Sequence, residues 1–277
     1  MIRTMRSSDM DFVLKATNEM QWAYSRVEIE RVTSLSNGVS YVWEDEELRG
    51  FITSLTYSST AIIGHLLVTA GYRGIGIGKS LLEHTLSVLD SSGVESVIVF
   101  STEDGSGLYE RMGFSKGPKV VSCGMNVTGP ISGLPGAESV LPEDLDEIAA
   151  FDERIFGDSR INLMERLYAE HPDLCRKIVN DGTIDGYIFA RRTPLGGDIG
   201  PWICRAPDAS HLLSSVMSSF ECSRVDIGYF EDNPWIKPLI DSHAQVKNFN
   251  VRLMTRGLPR YTGDRTKVFG IAGFELG

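Results

Sequence analysis

The residues with the clearest chemical meaning form one run, Arg73-Gly74-Ile75-Gly76-Ile77-Gly78-Lys79. Glycine at every second position leaves that side of the main chain bare, so its N–H groups can approach a bulky anion such as a diphosphate. The next residues fix where those donors point. Leu81, Leu82, His84, Thr85, Leu86 and Leu89 recur at helical spacing, so the turn opens a helix whose first N–H groups have no partner within it. The aligned peptide dipoles add partial positive charge at the same end. Ahead of the turn, Ile62, Ile63, Leu66, Leu67 and Val68 read as a buried strand. Strand, glycine turn and helix together make an anion site.

Spacing decides which anion site. A P-loop needs G-x-x-x-x-G-K-[ST]; Gly78-Lys79-Ser80 fits its end, but Arg73 stands where the first glycine belongs, and a bulky side chain there spoils the cradle. The dinucleotide pattern G-x-G-x-x-G begins at Gly74 and Gly76 but meets Lys79 at its last glycine. The pattern [RQ]-x-x-G-x-[GA] is met by Arg73, Gly76 and Gly78, and it resembles the pyrophosphate loop of the GCN5-related N-acetyltransferases, which hold acetyl-coenzyme A. A second stretch, Thr102-x-x-Gly105-x-x-Leu108-Tyr109-x-x-x-Gly113-Phe114, resembles that family's N-x-x-A-x-x-L-Y-x-x-x-G-F. Thr102 replaces the usual Asn and Gly105 the usual Ala, which weakens the expected cofactor contacts there. The resemblance covers roughly residues 1 to 127.

What the resemblance implies is acetyl transfer to a primary amine, with acetyl-CoA as cosubstrate. The backbone N–H groups of Gly74, Ile75, Gly76, Ile77, Gly78 and Lys79 would hold the diphosphate, Arg73 would assist, and Thr102 would add a contact. If the strand at Leu66, Leu67 and Val68 splays from its neighbour after Ser101, as in the family, its main chain can pair with the pantetheine arm, and an N–H near Val68 would stabilise an oxyanion. Tyr109 is the expected general acid, since a phenol near pKa 10 can protonate a departing thiolate. The general base is not evident. A primary amine near pKa 10.4 is neutral about once in 2,500 molecules at pH 7, a deficit of about 5 kcal/mol. Several relatives use a glutamate on the central strand, but Ile62 stands at that position; His65 is the nearest titratable group, and Glu28, Glu30 or a water chain are equally open. A lone strand histidine is more often packed than catalytic, and Glu28 and Glu30 read first as a solvated helix face.

The surrounding elements are read from pattern. Ile2 to Met5 reads as a strand, Ser7-Ser8-Asp9 caps a helix, and a second helix covers Arg26 to Leu35. Val39 to Glu44 and Leu48 to Tyr57 are strand-like, Val94 to Ser101 reads as a buried strand, a short helix starts near Ser106, and Val120 to Val127 reads as the last strand of the first half. The Gly/Pro-rich stretch from Thr128 to Gly136 reads as a linker. The second half repeats the order of the first: a helix at Leu145 to Phe151, another near Asn162 to Ala169, strands at Ile184 to Arg191 and Asp198 to Cys204, a helix at Ala209 to Phe220, and strands at Arg224 to Tyr229 and Asn250 to Met254. Its chemistry has faded. Trp202-Ile-Cys-Arg-Ala-Pro207 lacks glycine, and Ile240 falls where the first half has Tyr109. The expected fold is therefore α/β of the α+β kind with a mixed sheet, as two tandem acetyltransferase-like domains, each a mostly antiparallel central sheet flanked by helices. The domains are residues 1–128 and a degenerate 138–277, joined by a linker at 129–137.

Composition sets the outer limits. The chain has 277 residues, 42% hydrophobic and 23% charged, with a formal net charge of −10. That balance disfavours nucleic acid and mildly favours a cationic acceptor, a small-molecule or peptide amine. No apolar run reaches the roughly 18 residues a membrane helix needs, and no signal peptide is read at the start, so a cytoplasmic protein is expected. Cys123, Cys175, Cys204 and Cys222 have no C-x-x-C spacing and imply neither disulfides nor metal. An alternative function is a non-catalytic protein that binds or senses acyl-CoA.

Overall fold

The computed structural model describes residues 1–35, 39–127, 136–241, 243 and 245–277; most of the expected linker, 129–135, lies outside them. By internal contact the chain groups into two units made of interleaved segments. The first comprises Met1–Lys116, Met254–Pro259 and Glu275–Gly277; the second comprises Gly117–Leu253 and Arg260–Phe274.

In the first unit the chain runs β1 (Ile2–Thr4), α1 (Met10–Glu19), α2 (Arg26–Ser34), β2 (Tyr41–Glu44), β3 (Leu48–Thr56), β4 (Thr60–Val68), α3 (Ile77–Ser91), β5 (Ser96–Ser101) and α4 (Glu103–Arg111). The sheet order is β1-β2-β3-β4-β5. Neighbours are antiparallel except β4 and β5, which are parallel and joined through α3. Helix α2 begins with a capping box: Ser25 Oγ accepts from the Glu28 N–H, and the Glu28 carboxylate accepts from the Ser25 N–H at 2.8 Å. That arrangement satisfies two donors that would otherwise have no partner. Helix α3 buries Ile77, Leu81, Leu82, Leu86 and Leu89 against Ile52, Ile63, Val97 and Val99 of the sheet. On the opposite face, α1 and α2 bury Met10, Val13, Ala16 and Ile29 against Val42, Phe51 and Leu67. The core is thus three layers, helix, sheet and helix.

The second unit carries most of β6 (Ser115–Asn126), then β7 (Glu138–Ser139), α5 (Leu145–Phe156), α6 (Ile161–Glu170), β8 (Cys175–Asn180), β9 (Thr183–Thr193), β10 (Gly196–Cys204), α7 (Ala209–Met217), β11 (Arg224–Phe230), α8 (Ile236–Ile240), most of β12 (Gln245–Gly257) and β13 (Val268–Gly270). Its order is β12-β6-β11-β10-β9-β8-β7, with β13 on β10. Here too a parallel pair, β10 with β11, is flanked by antiparallel neighbours, β9 on β10 and β6 on β11, and a helix, α7, joins it. The strand read as the last of the first half, β6, is grouped mostly with the second unit because it pairs along Val120–Asn126 with β11. Several expectations change in extent: α4 begins at Glu103 rather than Ser106, β6 at Ser115 rather than Val120 and β12 at Gln245 rather than Asn250, and α5 runs on to Phe156.

Candidate active site

The glycine turn opens α3 as the spacing requires. Gly76 is the N-cap with φ of 96°, in the left-handed region, and no side chain caps the helix. Gly74 is also left-handed at 80°. A Cβ on either glycine would meet no atom within 4 Å, and one on Gly78 would meet only Val68 Cγ2 at 3.5 Å. Packing therefore does not demand glycine at position 78, and the conformation demands it at 74 and 76. A bare, uncapped helix start with open space beside its glycines fits a diphosphate. Ile75 is exposed while Ile77 anchors the turn in the core. Lys79 is exposed and pairs with Glu83 at 3.6 Å. The Arg73 side chain turns back: its Nε donates to the Val68 carbonyl at 2.8 Å, and a terminal nitrogen lies 3.0 Å from Met20 Sδ. Arg73 thereby ties the turn to the end of β4.

Strands β4 and β5 pair from Thr60–Ser96 to Ile63–Val99 and then part, while β4 continues against β3 through Leu66–Ile52, Leu67–Phe51 and Val68–Gly50. A bulge sits at the point of parting, since three steps from Ile63 to Leu66 face two from Ser54 to Ile52. One extra residue at a strand bulge leaves ladder groups unpaired and re-aims side chains. Along the Leu66–Val68 edge, β4 can pair with an extended amide-bearing chain in place of β5, so the slot and the turn suit the two ends of one long ligand.

Tyr109 is buried on α4, its ring packed against Phe114 with centroids 5.5 Å apart. Burial pushes its phenol well above the ordinary value, so the hydroxyl carries its proton at neutral pH and is a weaker acid than a free phenol. Thr102 is the exposed N-cap of α4 with no side-chain capping bond. The glycine at 105 has a local cause: a Cβ there would lie 2.9 Å from Ser101 Oγ, so the alanine of the related pattern would force that hydroxyl aside.

His65 lies on the bulge, buried, with Nδ1 2.7 Å from Thr53 Oγ1 and Nε2 without a hydrogen-bond partner. Burial lowers its pKa to about 4, against a smaller opposing pull from Glu28. The ring is walled by Tyr24, edge-on at 4.5 Å, and by Trp22 and Phe51 at 6.0 and 6.3 Å. Glu28 does not lie on a solvated face: it is buried and held by Ser25, whereas Glu30 is exposed as expected. The segment between α1 and α2 that carries Trp22 and Tyr24 has two non-glycine residues at positive φ, Gln21 at 59° and Ala23 at 52°. Such backbone strain persists where surrounding structure over-determines it, and it clusters at functional sites.

One residue of this region was missed by sequence reasoning. Glu275 is buried in the first unit, where its carboxylate accepts from the Tyr24 hydroxyl at 3.2 Å. A Cβ on Gly64, in the bulge, would lie 2.7 Å from the Cβ of Glu275. The Tyr57 hydroxyl donates to the Leu276 carbonyl and fixes the same segment. The available signal was a lone acid within the apolar and small run from Phe269 to Gly277.

The second unit has the same frame with the slot filled. Strand β10 pairs with β11 only from Gly197–Val225 to Ile199–Ile227, and a bulge comes next at Gly200 and Pro201. Beyond it, β13 pairs with Trp202 and Ile203, and the Ile271 N–H donates to Gly228 of β11 at 2.9 Å. Residues 268 to 271 thus occupy the gap between the two strands. At the start of α7, where the first unit has its glycine turn, stands Asp208, which holds Arg205 at 3.0 Å. A carboxylate there opposes an anion. Cys123, Cys175 and Cys204 are buried and Cys222 is half-buried, and none of the four forms a disulfide among the described residues. Among the described residues no group of side chains could hold a metal ion, and no helix is long and apolar enough to cross a membrane.

Comparison with known proteins agrees with this frame. Two models of the acetyltransferase (GNAT) domain match residues 36–116 and 148–270. A Bacillus subtilis protein, the uncharacterized N-acetyltransferase YitH, is 22% identical over 201 residues, covering 72% of this chain and 71% of its own. Among solved structures, a Pyrococcus horikoshii protein assigned as an acetyltransferase superposes with a TM-score of 0.85 at 19% identity, covering 100% of this chain and 95% of that one. A GCN5-related N-acetyltransferase of Sphaerobacter thermophilus gives 0.69 at 18% identity, over 99% and 98% of the two chains. A tandem GNAT protein of the clavulanic acid biosynthesis pathway gives 0.64 at 13%, over 95% and 99%. The chain therefore belongs to the GCN5-related N-acetyltransferase superfamily, as a member with two GNAT domains.

Proposed function

We propose that this protein transfers an acetyl group from acetyl-CoA to a primary amine, and that the cosubstrate is held by the first domain, read as residues 1–128, with the second, 138–277, unable to hold it. The observation that carries the reading is the pairing of an uncapped glycine turn at α3 with a strand edge opened by the parting of β4 and β5. Gly74, Ile75, Gly76, Ile77, Gly78 and Lys79 would hold the diphosphate through main-chain N–H groups, and Leu66 to Val68 would hold the pantetheine arm and the oxyanion. When bound, acetyl-CoA supplies an acyl group activated as a thioester. Tyr109, kept protonated by burial, supplies a proton to a leaving thiolate. Arg73 acts as a strap on the turn. The acceptor is a small-molecule or peptide amine, in keeping with the chain's net negative charge.

The test is calorimetric titration of acetyl-CoA into the wild type and Gly78→Glu. The variant has room for its Cβ, which would meet only Val68 Cγ2 at 3.5 Å, and it places a carboxylate against the expected diphosphate. Saturable binding in the wild type, weakened at least about 100-fold in the variant, is the expected result. A folded wild type that does not bind acetyl-CoA overturns the proposal, and binding without thiol release in the presence of any primary amine leaves the non-catalytic reading in its place.

A further inference from the structure

Acetylation of an ammonium group needs a proton acceptor, and β4 offers no carboxylate: Ile62 is fully buried, and His65, with one nitrogen engaged by Thr53, is made a weak base by its burial. A carboxylate nevertheless reaches this strand from a distant part of the sequence. Residues 275–277 lie in the first unit, and Glu275 packs its Cα and Cβ over Gly64, 3.1 and 2.7 Å from where a Cβ would stand. Gly64 is the first residue past the last β4–β5 pair, so Glu275 sits at the apex of the opened slot. A ligand arm that starts at the α3 turn and runs along β4 back from Val68 brings its far end toward this apex. The same side of the strand carries Thr53, His65 and the rings of Tyr24, Trp22 and Phe51. Trp22 is 40% exposed and gives this wall a face to solvent.

We propose that Glu275 is the group that binds the acceptor's ammonium and takes its proton, with Trp22, Tyr24 and Phe51 walling the acceptor's apolar part. This rests on the acetyltransferase reading. Negative charge draws the ammonium in, and nearby ring faces favour a cation. Tyr24, donating to one carboxylate oxygen, orients the group. The ammonium gives one proton to the Glu275 carboxylate, which later passes it to solvent. The neutral nitrogen forms the C–N bond as the C–S bond breaks. The second nitrogen proton replaces the one that Tyr109 gives to the sulfur, so the products are an amide, a free thiol and one proton.

The experiment compares the wild type with Glu275→Gln, whose amide oxygen can still accept from Tyr24, and with Tyr24→Phe as a check on orientation alone. Phenethylamine, putrescine, spermidine and lysine amide are screened for thiol release from acetyl-CoA, and the best acceptor is then titrated by calorimetry into acetyl-CoA-free protein. In Glu275→Gln we expect the amine to bind at least about tenfold more weakly, with acetyl-CoA affinity unchanged, and kcat/KM at pH 7 to fall about 100-fold. The loss should shrink at high pH, because the neutral fraction of an amine near pKa 10.4 rises about 700-fold between pH 7 and 10. Amine affinity and kcat/KM within about threefold of wild type would overturn this proposal alone, as would a loss that stays constant from pH 7 to 10. If the wild type binds acetyl-CoA but no amine releases thiol, the acetyltransferase reading falls and takes this one with it.

Discussion

At the scale of single residues, His65 has a measurable consequence of its own. The pKa is lowered from 6.5 to about 4 by burial, so the folded state resists a proton that the unfolded chain accepts. The folded value is the lower one, so the stabilisation is complete above pH 6.5 and drains away as pH falls from 6.5 toward 4. Its size between pH 7.5 and 4.5 is about 2 to 3 kcal/mol. In urea unfolding, His65→Gln should be the less stable protein at pH 7.5, and its deficit should narrow by about that amount at pH 4.5. A deficit that does not change with pH would show that the imidazole titrates normally. The sequence exposed His65 as the titratable residue nearest the site but could not reveal its burial, which depends on Tyr24, Trp22 and Phe51 closing around it. It revealed less of Glu275, whose neighbours Gly64 and Tyr24 stand more than two hundred residues earlier in the chain. Glycine spacing, by contrast, is a local code: the turn at Gly74 to Gly78 and the Tyr109 pattern were legible because a few consecutive residues determine them.

At the scale of elements, the bulge of β4 is the feature on which the site turns, since it separates β4 from β5 and sets Gly64 beneath Glu275. Ile63 and Leu66 face the α3 side of the sheet, whereas His65 faces the side of Tyr24 and Phe51. An unbroken alternation would put residues 63 and 66 on opposite faces. A run of apolar letters does not disclose that shift, so the bulge was not legible in the pattern. Gly64→Ala tests it. The added methyl would meet the Cα and Cβ of Glu275 at 3.1 and 2.7 Å, atoms near the main chain that cannot swing aside. We expect a loss of about 1 to 3 kcal/mol in unfolding free energy and a fall in acceptor turnover with acetyl-CoA affinity kept, because the α3 turn is untouched. Unchanged stability and turnover would mean that Glu275 is not held against β4. Other elements escaped the sequence for plain reasons. Strands β7 and β13 are two and three residues long, too short for alternation to register, and β8 carries Arg176, Lys177 and Asn180 among its six residues, which reads as loop.

At the scale of the whole molecule, two copies of one frame have diverged in what occupies the gap beside the parallel strand pair. In the first it is open along Leu66 to Val68; in the second, β13 and Ile271 fill it from within the chain. Repetition was legible in the order of elements, and the loss of chemistry in the missing glycines. The filling strand was not, because it is supplied from some sixty residues beyond β10. Its energetic weight can be bounded. Val268, Phe269 and Ile271 are each at most 2% exposed, and burying such a side chain is worth about 1.5 to 3 kcal/mol. Displacing all three to admit a pantetheine arm would therefore cost roughly 5 to 9 kcal/mol, which weakens any binding there by more than about a thousandfold. A site of micromolar intrinsic affinity would become millimolar or worse, with Asp208 opposing the diphosphate besides. The expected stoichiometry of acetyl-CoA in calorimetry is accordingly one per chain, falling to none in Gly78→Glu. Asp208→Gly should leave it at one, because removing the carboxylate does not remove β13. Two sites per chain, or a site that survives Gly78→Glu, would mean that the second copy binds after all and that β13 leaves β10 at far lower cost than its buried side chains imply.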